Sequence, residues 1–257
     1  MTSTRRCRSS RLERHRRTTI LVSALIALLA VLVTGCADKS AQNGDREPEN
    51  NSAKPGPDAD VTALSAQQWR KMKAAGMLRP ECPITRRSQL RSVAINHYTF
   101  KGEVRRGLVV VNKDVTRSVV RILTKMYEAK FPIRRMSPVE NYGGDTNKSL
   151  RADNTSAYNC RRPDQINAPF TESPHANGRA IDINPRENPW KDLRCRCWYP
   201  SAKEHLRNDE PGKINKGGKV WQVFRAEGWI WQDIDVADYM HFDTGYPSKP
   251  FRNPSSS

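Results

Sequence analysis

The side chains best suited to chemistry are few. The 257-residue chain has five histidines, His15, His97, His175, His205 and His241, and two of them have unusual neighbours. The first lies in Ser173-Pro174-His175-Ala176-Asn177-Gly178-Arg179-Ala180-Ile181-Asp182-Ile183-Asn184. Gly178 permits a tight turn. The alternation after it sends Ile181 and Ile183 to a core and Asp182 to the other side. The turn brings His175 back beside Asp182, and an imidazole with a carboxylate is two thirds of a catalytic zinc site. The second segment is Asp238-Tyr239-Met240-His241-Phe242-Asp243. His241 completes a His₂Asp set for Zn²⁺ and leaves the fourth position to water, whose pKa there falls to about 7. Asp238 is not needed as a ligand. It can take the water's proton and return it to a leaving amine. A lone His–Asp pair is more often a surface hydrogen bond. The second carboxylate-and-histidine segment, in a chain this poor in histidine, is what points to a metal.

These residues need elements to hold them. Ser65 caps a helix running through Ala75, with Trp69 and Met72 on one face and Gly76 as its stop. Val93–Tyr98 and Leu108–Asn112 read as strands. Asp114 caps the clearest helix, in which Val115, Val119, Ile122, Leu123 and Met126 recur at helical spacing up to Lys130. Phe131-Pro132-Ile133 starts an extended stretch. A short helix near Val220–Glu227 ends at Gly228, and short strands follow at Trp229–Trp231 and Met240–Asp243. Trp229 and Trp231 read as core rather than as groove walls. Helices and strands that do not alternate regularly imply an α+β fold, a small antiparallel sheet with flanking helices. No internal repeat is visible.

With these segments in view, the pattern S-x-H-x-x-G-x-A-x-D at Ser173–Asp182, followed by an acid-x-x-His at Asp238–His241, resembles the zinc D-alanyl-D-alanine carboxypeptidases and L-alanyl-D-glutamate endopeptidases, the VanY-like family that also includes phage endolysins. The resemblance covers roughly Pro132 to Asp243. It implies a single α+β catalytic domain with a central antiparallel sheet, zinc on His175, Asp182 and His241, and Asp238 as general base. The family also places an Arg near the metal to hold substrate. Arg161 matches best, because Asp153–Arg161 is similar to the stretch before the metal motif in actinobacterial-type members; Arg151 is the reserve. D,D-specific members typically carry Glu, often followed by x-Trp, before the last His. This chain has Asp238 and Met240, which tilts the expectation toward an endopeptidase cut within the stem peptide. The stretch Arg186–Gly218 is long, and its Cys195-Arg196-Cys197-Trp198 cluster reads as part of a lid or a disulfide-pinned loop.

The N-terminal region speaks of destination. Seven arginines between Arg5 and Arg17 precede an apolar run from Ile20 to Val33, about the length of a signal-peptide core. Val33-Thr34-Gly35-Cys36 resembles a bacterial lipobox, in which the peptide is cut before the cysteine and Cys36 is lipidated. The expected organisation is a signal peptide over 1–35, a lipidated Cys36 with a disordered polar tether over 36–62, and a peptidase domain over 63–257 with its core at about 132–245 and a frayed tail after Phe251. This places the protein on the outer face of the cell membrane, held by acyl chains at about 0.8 kcal/mol per buried CH₂. Removing 1–35, with seven Arg and one acid, lowers the formal charge from +17 to +11. That suits anionic surfaces such as wall polymers or lipid headgroups. No nucleic-acid-binding motif is visible, so nucleic acid is not an expected partner. Nothing demands more than a monomer.

Cys82, Cys160, Cys195 and Cys197 remain, and an even count in an exported protein favours disulfides. A link across the single residue between Cys195 and Cys197 would be strained, so each is expected to pair with Cys82 or Cys160. A thiolate metal site from Cys195, Cys197 and His205 is the rival.

Three functions follow in order. The first is zinc-dependent hydrolysis of a peptide bond in the peptidoglycan stem peptide, of L-alanyl-D-glutamate endopeptidase or D-alanyl-D-alanine carboxypeptidase type. The second is a catalytically silent, zinc-containing wall-binding lipoprotein of the same fold. The third is a redox or metal-storage lipoprotein built on the cysteines.

Overall fold

The most regular helix is built by its own periodicity. Val119, Ile122, Leu123 and Met126 lie on one face of Thr116–Glu128 and are buried against a sheet. This computed structural model describes residues 56–161, 173–231 and 237–245. The signal peptide, Cys36, most of the tether and the C-terminal tail lie outside the described residues.

In chain order the elements are β1 (Asp60–Ala63), α1 (Ala66–Ala74), β2 (Leu90–Tyr98), β3 (Val104–Asn112), α2 (Thr116–Glu128), β4 (Arg135–Met136), α3 (Thr146–Arg151), β5 (Asn154–Thr155), β6 (Ala180–Asp182), β7 (Trp190–Asp192), β8 (Cys197–Tyr199), α4 (Lys219–Ala226), β9 (Ile230–Trp231) and β10 (His241–Asp243). Helices and short strands in this order are compatible with α+β. The described residues hold two three-stranded antiparallel sheets, β1-β2-β3 and β6-β10-β9, rather than one small sheet, besides the parallel pair β4-β5 and the hairpin β7-β8.

One core lies between α2, α4 and the inner faces of both sheets. It contains Val93, Ile95, Val109, Ile181, Ile183, Phe224, Trp229 and Phe242. Trp229 is buried and donates Nε1–H to Ser118 Oγ at 2.8 Å; Trp231 is also buried and donates to the Tyr239 carbonyl at 2.9 Å. The core reading of both tryptophans holds. A second core, with Leu64, Met72, Met77, Leu90 and Tyr158, sits under α1 and includes Cys82 and Cys160.

Four expectations need correction. First, the ordered sheet begins at Asp60, inside the stretch read as tether. All four residues of β1 are exposed, so this edge strand shows no hydrophobic alternation. Second, Asp114 does not cap α2. Val115 occupies the cap position without a side-chain bond, and the Asp114 carboxylate instead pairs with Arg179 at 2.5 Å. A long-range guanidinium outcompetes the local amides. Third, the disulfides are Cys82–Cys160 and Cys195–Cys197, not crossed pairs. Arg196 takes the left-handed φ of 53°, which turns the chain so that the Cα atoms of Cys195 and Cys197 come to 5.1 Å. Fourth, these sulfurs are therefore not thiolates for a metal, and His205 instead donates Nδ1–H to the Ala202 carbonyl at 2.7 Å.

Candidate metal centre

Two strands and a turn assemble the site. His241 in β10 lies directly opposite Asp182 in β6. Such cross-strand partners carry their side chains on the same face, with Cβ atoms about 5 Å apart. Pairing therefore joins two candidate ligands distant in sequence. His175 comes from the 3₁₀ turn Pro174–Asn177, closed by Gly178 at φ 66°. The Gly178 carbonyl accepts from Asn112 N at the end of β3 at 2.8 Å, and a Cβ on Gly178 would lie 2.7 Å from that nitrogen. Glycine is required here both for the conformation and for the close approach. Arg179, clamped on Asp114, fixes the next residue. The backbone of Ser156 pairs with Asp182 in both directions, at 2.9 and 3.1 Å.

The three side chains converge. His175 Nε2 lies 3.2 Å from Asp182 Oδ1 and 3.0 Å from His241 Nδ1, and His241 Nδ1 lies 3.2 Å from the same Asp182 oxygen. All three residues are buried, and together they form a group that could hold a metal ion. The edge of a tetrahedron around zinc with ligands at about 2.0–2.1 Å is about 3.3 Å, close to these separations.

The outer ring nitrogens decide whether the donors fit a cation. His175 donates Nδ1–H to the Ala157 carbonyl at 2.7 Å, and His241 donates Nε2–H to Asp243 Oδ2 at 3.1 Å. These partners turn one lone pair of each imidazole inward, beside a carboxylate oxygen. Three electron-rich atoms at van der Waals distance or less need a positive charge among them, and backbone-carbonyl and carboxylate partners of this kind orient histidine ligands in metal sites. The residues present fit a divalent metal.

The electrostatics agree. Burial lowers the pKa of His175. Burial also acts to lower His241, but hydrogen bonds to Asp182 and Asp243 outweigh it and push the ring up to about 10. Asp182 is held below the usual carboxylate range: burial opposes this, and the two histidines overcome it. In the metal-free protein one proton thus does the work of the cation. His241 binds its proton more tightly folded than unfolded, so its stabilisation is complete below about pH 6.5 and is lost as pH rises toward 10. The melting temperature of chelator-treated protein should fall between pH 7 and 10, whereas that of metal-loaded protein should change less. Calorimetric titration at pH 8 in buffers of different ionisation enthalpy should show about one proton released per metal bound.

Two further predicted residues lie at the centre. Asp238, just before β10, has a buried Oδ1 with no hydrogen-bond partner. Burial, reinforced by Asp182 and Asp243 against the pull of His241 and Arg161, pushes it up to about 7. Arg161 brings Nη2 to 3.9 Å from Asp182 Oδ2, and its Nε is buried without a partner. It follows directly on the Cys82–Cys160 disulfide, and Arg79 donates to the carbonyls of both Cys160 and Arg161. The reserve candidate Arg151 instead donates to Tyr199 Oη at 2.8 Å. Sequence reasoning missed Asp243 as the partner of His241. The signal was available: His-x-Asp in a strand puts both side chains on one face.

Residues 167–244, which contain all three candidate ligands and Asp238, match the family model described as D-alanyl-D-alanine carboxypeptidase. This segment is similar to the D-alanyl-D-alanine carboxypeptidase family. The VanY-like resemblance read from the two motifs thus stands, and with it a peptidase acting in general on cell-wall peptides, in a family whose peptidases are metal-dependent. No curated protein and no solved structure matches the chain.

Proposed function

We propose that this protein is a zinc-dependent hydrolase of the peptidoglycan stem peptide, anchored outside the cell membrane through a lipid on Cys36. The observation that carries the reading is the inward convergence of His175, Asp182 and His241, with their outer nitrogens tied off, beside a carboxylate raised to about 7. Zinc, when bound there, supplies a Lewis acid for the scissile carbonyl and acidifies water. The chain's own residues do the rest. Asp238 accepts the proton of the attacking water and delivers it to the departing amine; a base near neutrality suits both transfers. Arg161 offers its unpartnered Nε–H to the substrate's carbonyl or carboxylate oxygen, where a charge-assisted bond is strongest.

Asp at position 238 favours an endopeptidase of L-alanyl-D-glutamate type over a D,D-carboxypeptidase. The test is a mass spectrum of products from purified peptidoglycan. A fragment with a new D-glutamate amine is expected. Free D-alanine would instead make the protein a carboxypeptidase. No product from protein with zinc bound would leave a silent wall-binding lipoprotein.

A further inference from the structure

The long stretch between β6 and α4 is tied down rather than free to open. Asn188 is fully buried; its Nδ2 donates to the carbonyls of Ile183, Asn184 and Gly212, and its Oδ1 accepts from Ile214 N and Arg207 Nη1. From this anchor the chain runs into the hairpin β7–β8, whose tip carries the Cys195–Cys197 disulfide and an Asp192–Arg194 ion pair at 2.7 Å.

The hairpin does not point away from the metal centre. β7 runs antiparallel beside the residues that precede β10, with Trp190 opposite Asp238. Lys191 N–H donates to the Ala237 carbonyl at 2.8 Å, and Tyr239 N–H donates to the Pro189 carbonyl at 3.3 Å. Those two bonds hold the two peptide groups that flank Asp238. On the next strand, Trp198 stacks on Tyr239 with ring centroids 5.3 Å apart and planes 15° apart, and also on His205 at 5.3 Å and 21°. The Arg207 guanidinium sits 4.2 Å over the Tyr239 ring. Asp238 Oδ1 has no hydrogen-bond partner, so where that oxygen lies is sensitive to how the backbone of residue 238 is held.

We propose that the hairpin β7–β8 is a clasp for Asp238, with Trp198 as the positioning residue that locks it through Tyr239. Trp198 is not one of the candidate ligands; it acts through the backbone of residues 237–239. The proposal rests on the reading of Asp238 as the base. Displacing such a group by about 1 Å is enough to cost roughly 10²-fold in rate.

The test uses the full chain with zinc, comparing Trp198→Ala and Trp198→Phe with the wild type. Three quantities are read: kcat and KM on soluble peptidoglycan fragments, zinc content, and amide hydrogen exchange. In Trp198→Ala, kcat should fall by about 10- to 100-fold with KM little changed, and zinc content should stay at the wild-type level. Exchange at the Lys191 and Tyr239 amides should accelerate by about tenfold or more while the Asp182 and Ile183 amides keep their protection. Trp198→Phe, which retains a stacking ring, should restore both kcat and protection. Unchanged exchange at Lys191 and Tyr239 in Trp198→Ala, or equal acceleration at Asp182 and Ile183, would overturn the clasp. A wild type that never turns over would sink the base assignment instead, and the exchange data would still decide whether the clasp exists.

Discussion

His175→Ala is expected to lose metal and turnover together. The side chain provides one of three inward donors, and the turn that carries it is fixed by Gly178 and Arg179 whether or not the imidazole is present. The fold should therefore survive while the site fails. Two remaining ligands cannot hold zinc as three do, and the loss in kcat/KM should be on the order of 10³-fold or more, about 4 kcal/mol of transition-state stabilisation. Asp243→Asn is the graded comparison. It keeps all three ligands and weakens the partner of His241 Nε2, so metal affinity should fall by about 10- to 100-fold. Metal content by mass spectrometry and rate at saturating zinc separate the two: excess zinc should rescue Asp243→Asn and not His175→Ala. A metal-free His175→Ala protein with full activity would remove the metal from the mechanism.

Asp238→Asn should behave in the opposite sense. Its carboxylate is not among the converging donors, so zinc should bind with wild-type stoichiometry. Turnover should fall by about 10²–10⁴-fold with little change in KM, because an amide cannot accept the proton of the attacking water. The substitution also removes a buried acid held up near 7. An acid that is harder to ionise when folded destabilises the protein as pH rises from about 4 toward 7. Asp238→Asn should therefore be at least as thermally stable as the wild type at pH 8. Lower activity with equal or higher stability is the signature of a functional carboxylate; an unchanged rate would make Asp238 structural.

What could be read in advance follows from how local each cause is. Helix α2 was legible because its burial pattern is its own periodicity. The ligands were legible because strand alternation and a glycine turn dictate which side chains share a face. Joining His241 to Asp182 also needed the pairing of β6 with β10, which alternation alone does not give; the second carboxylate-and-histidine segment in a chain poor in histidine pointed to it, and the family resemblance agreed. The misses have long-range or conformational causes. Asp114 was drawn from its helix by Arg179, 65 residues away. The left-handed turn at Arg196 closes a disulfide that the one-residue spacing marked as strained. β1 owes its place to pairing with β2 and buries nothing that a hydrophobic pattern would reveal. The clasp formed by Trp190, Trp198 and Tyr239 was invisible for the same reason: its partners meet only after the chain between β6 and α4 has folded back on residues 237–239.

In the proposed function, His175, Asp182 and His241 hold the zinc on which cell-wall peptide hydrolysis depends. The most direct measurement is the release of new amine from purified peptidoglycan by one preparation of the protein, first stripped of metal and then given one equivalent of zinc. The stripped protein should release none, and zinc should restore release. Equal release before and after zinc would contradict the zinc dependence.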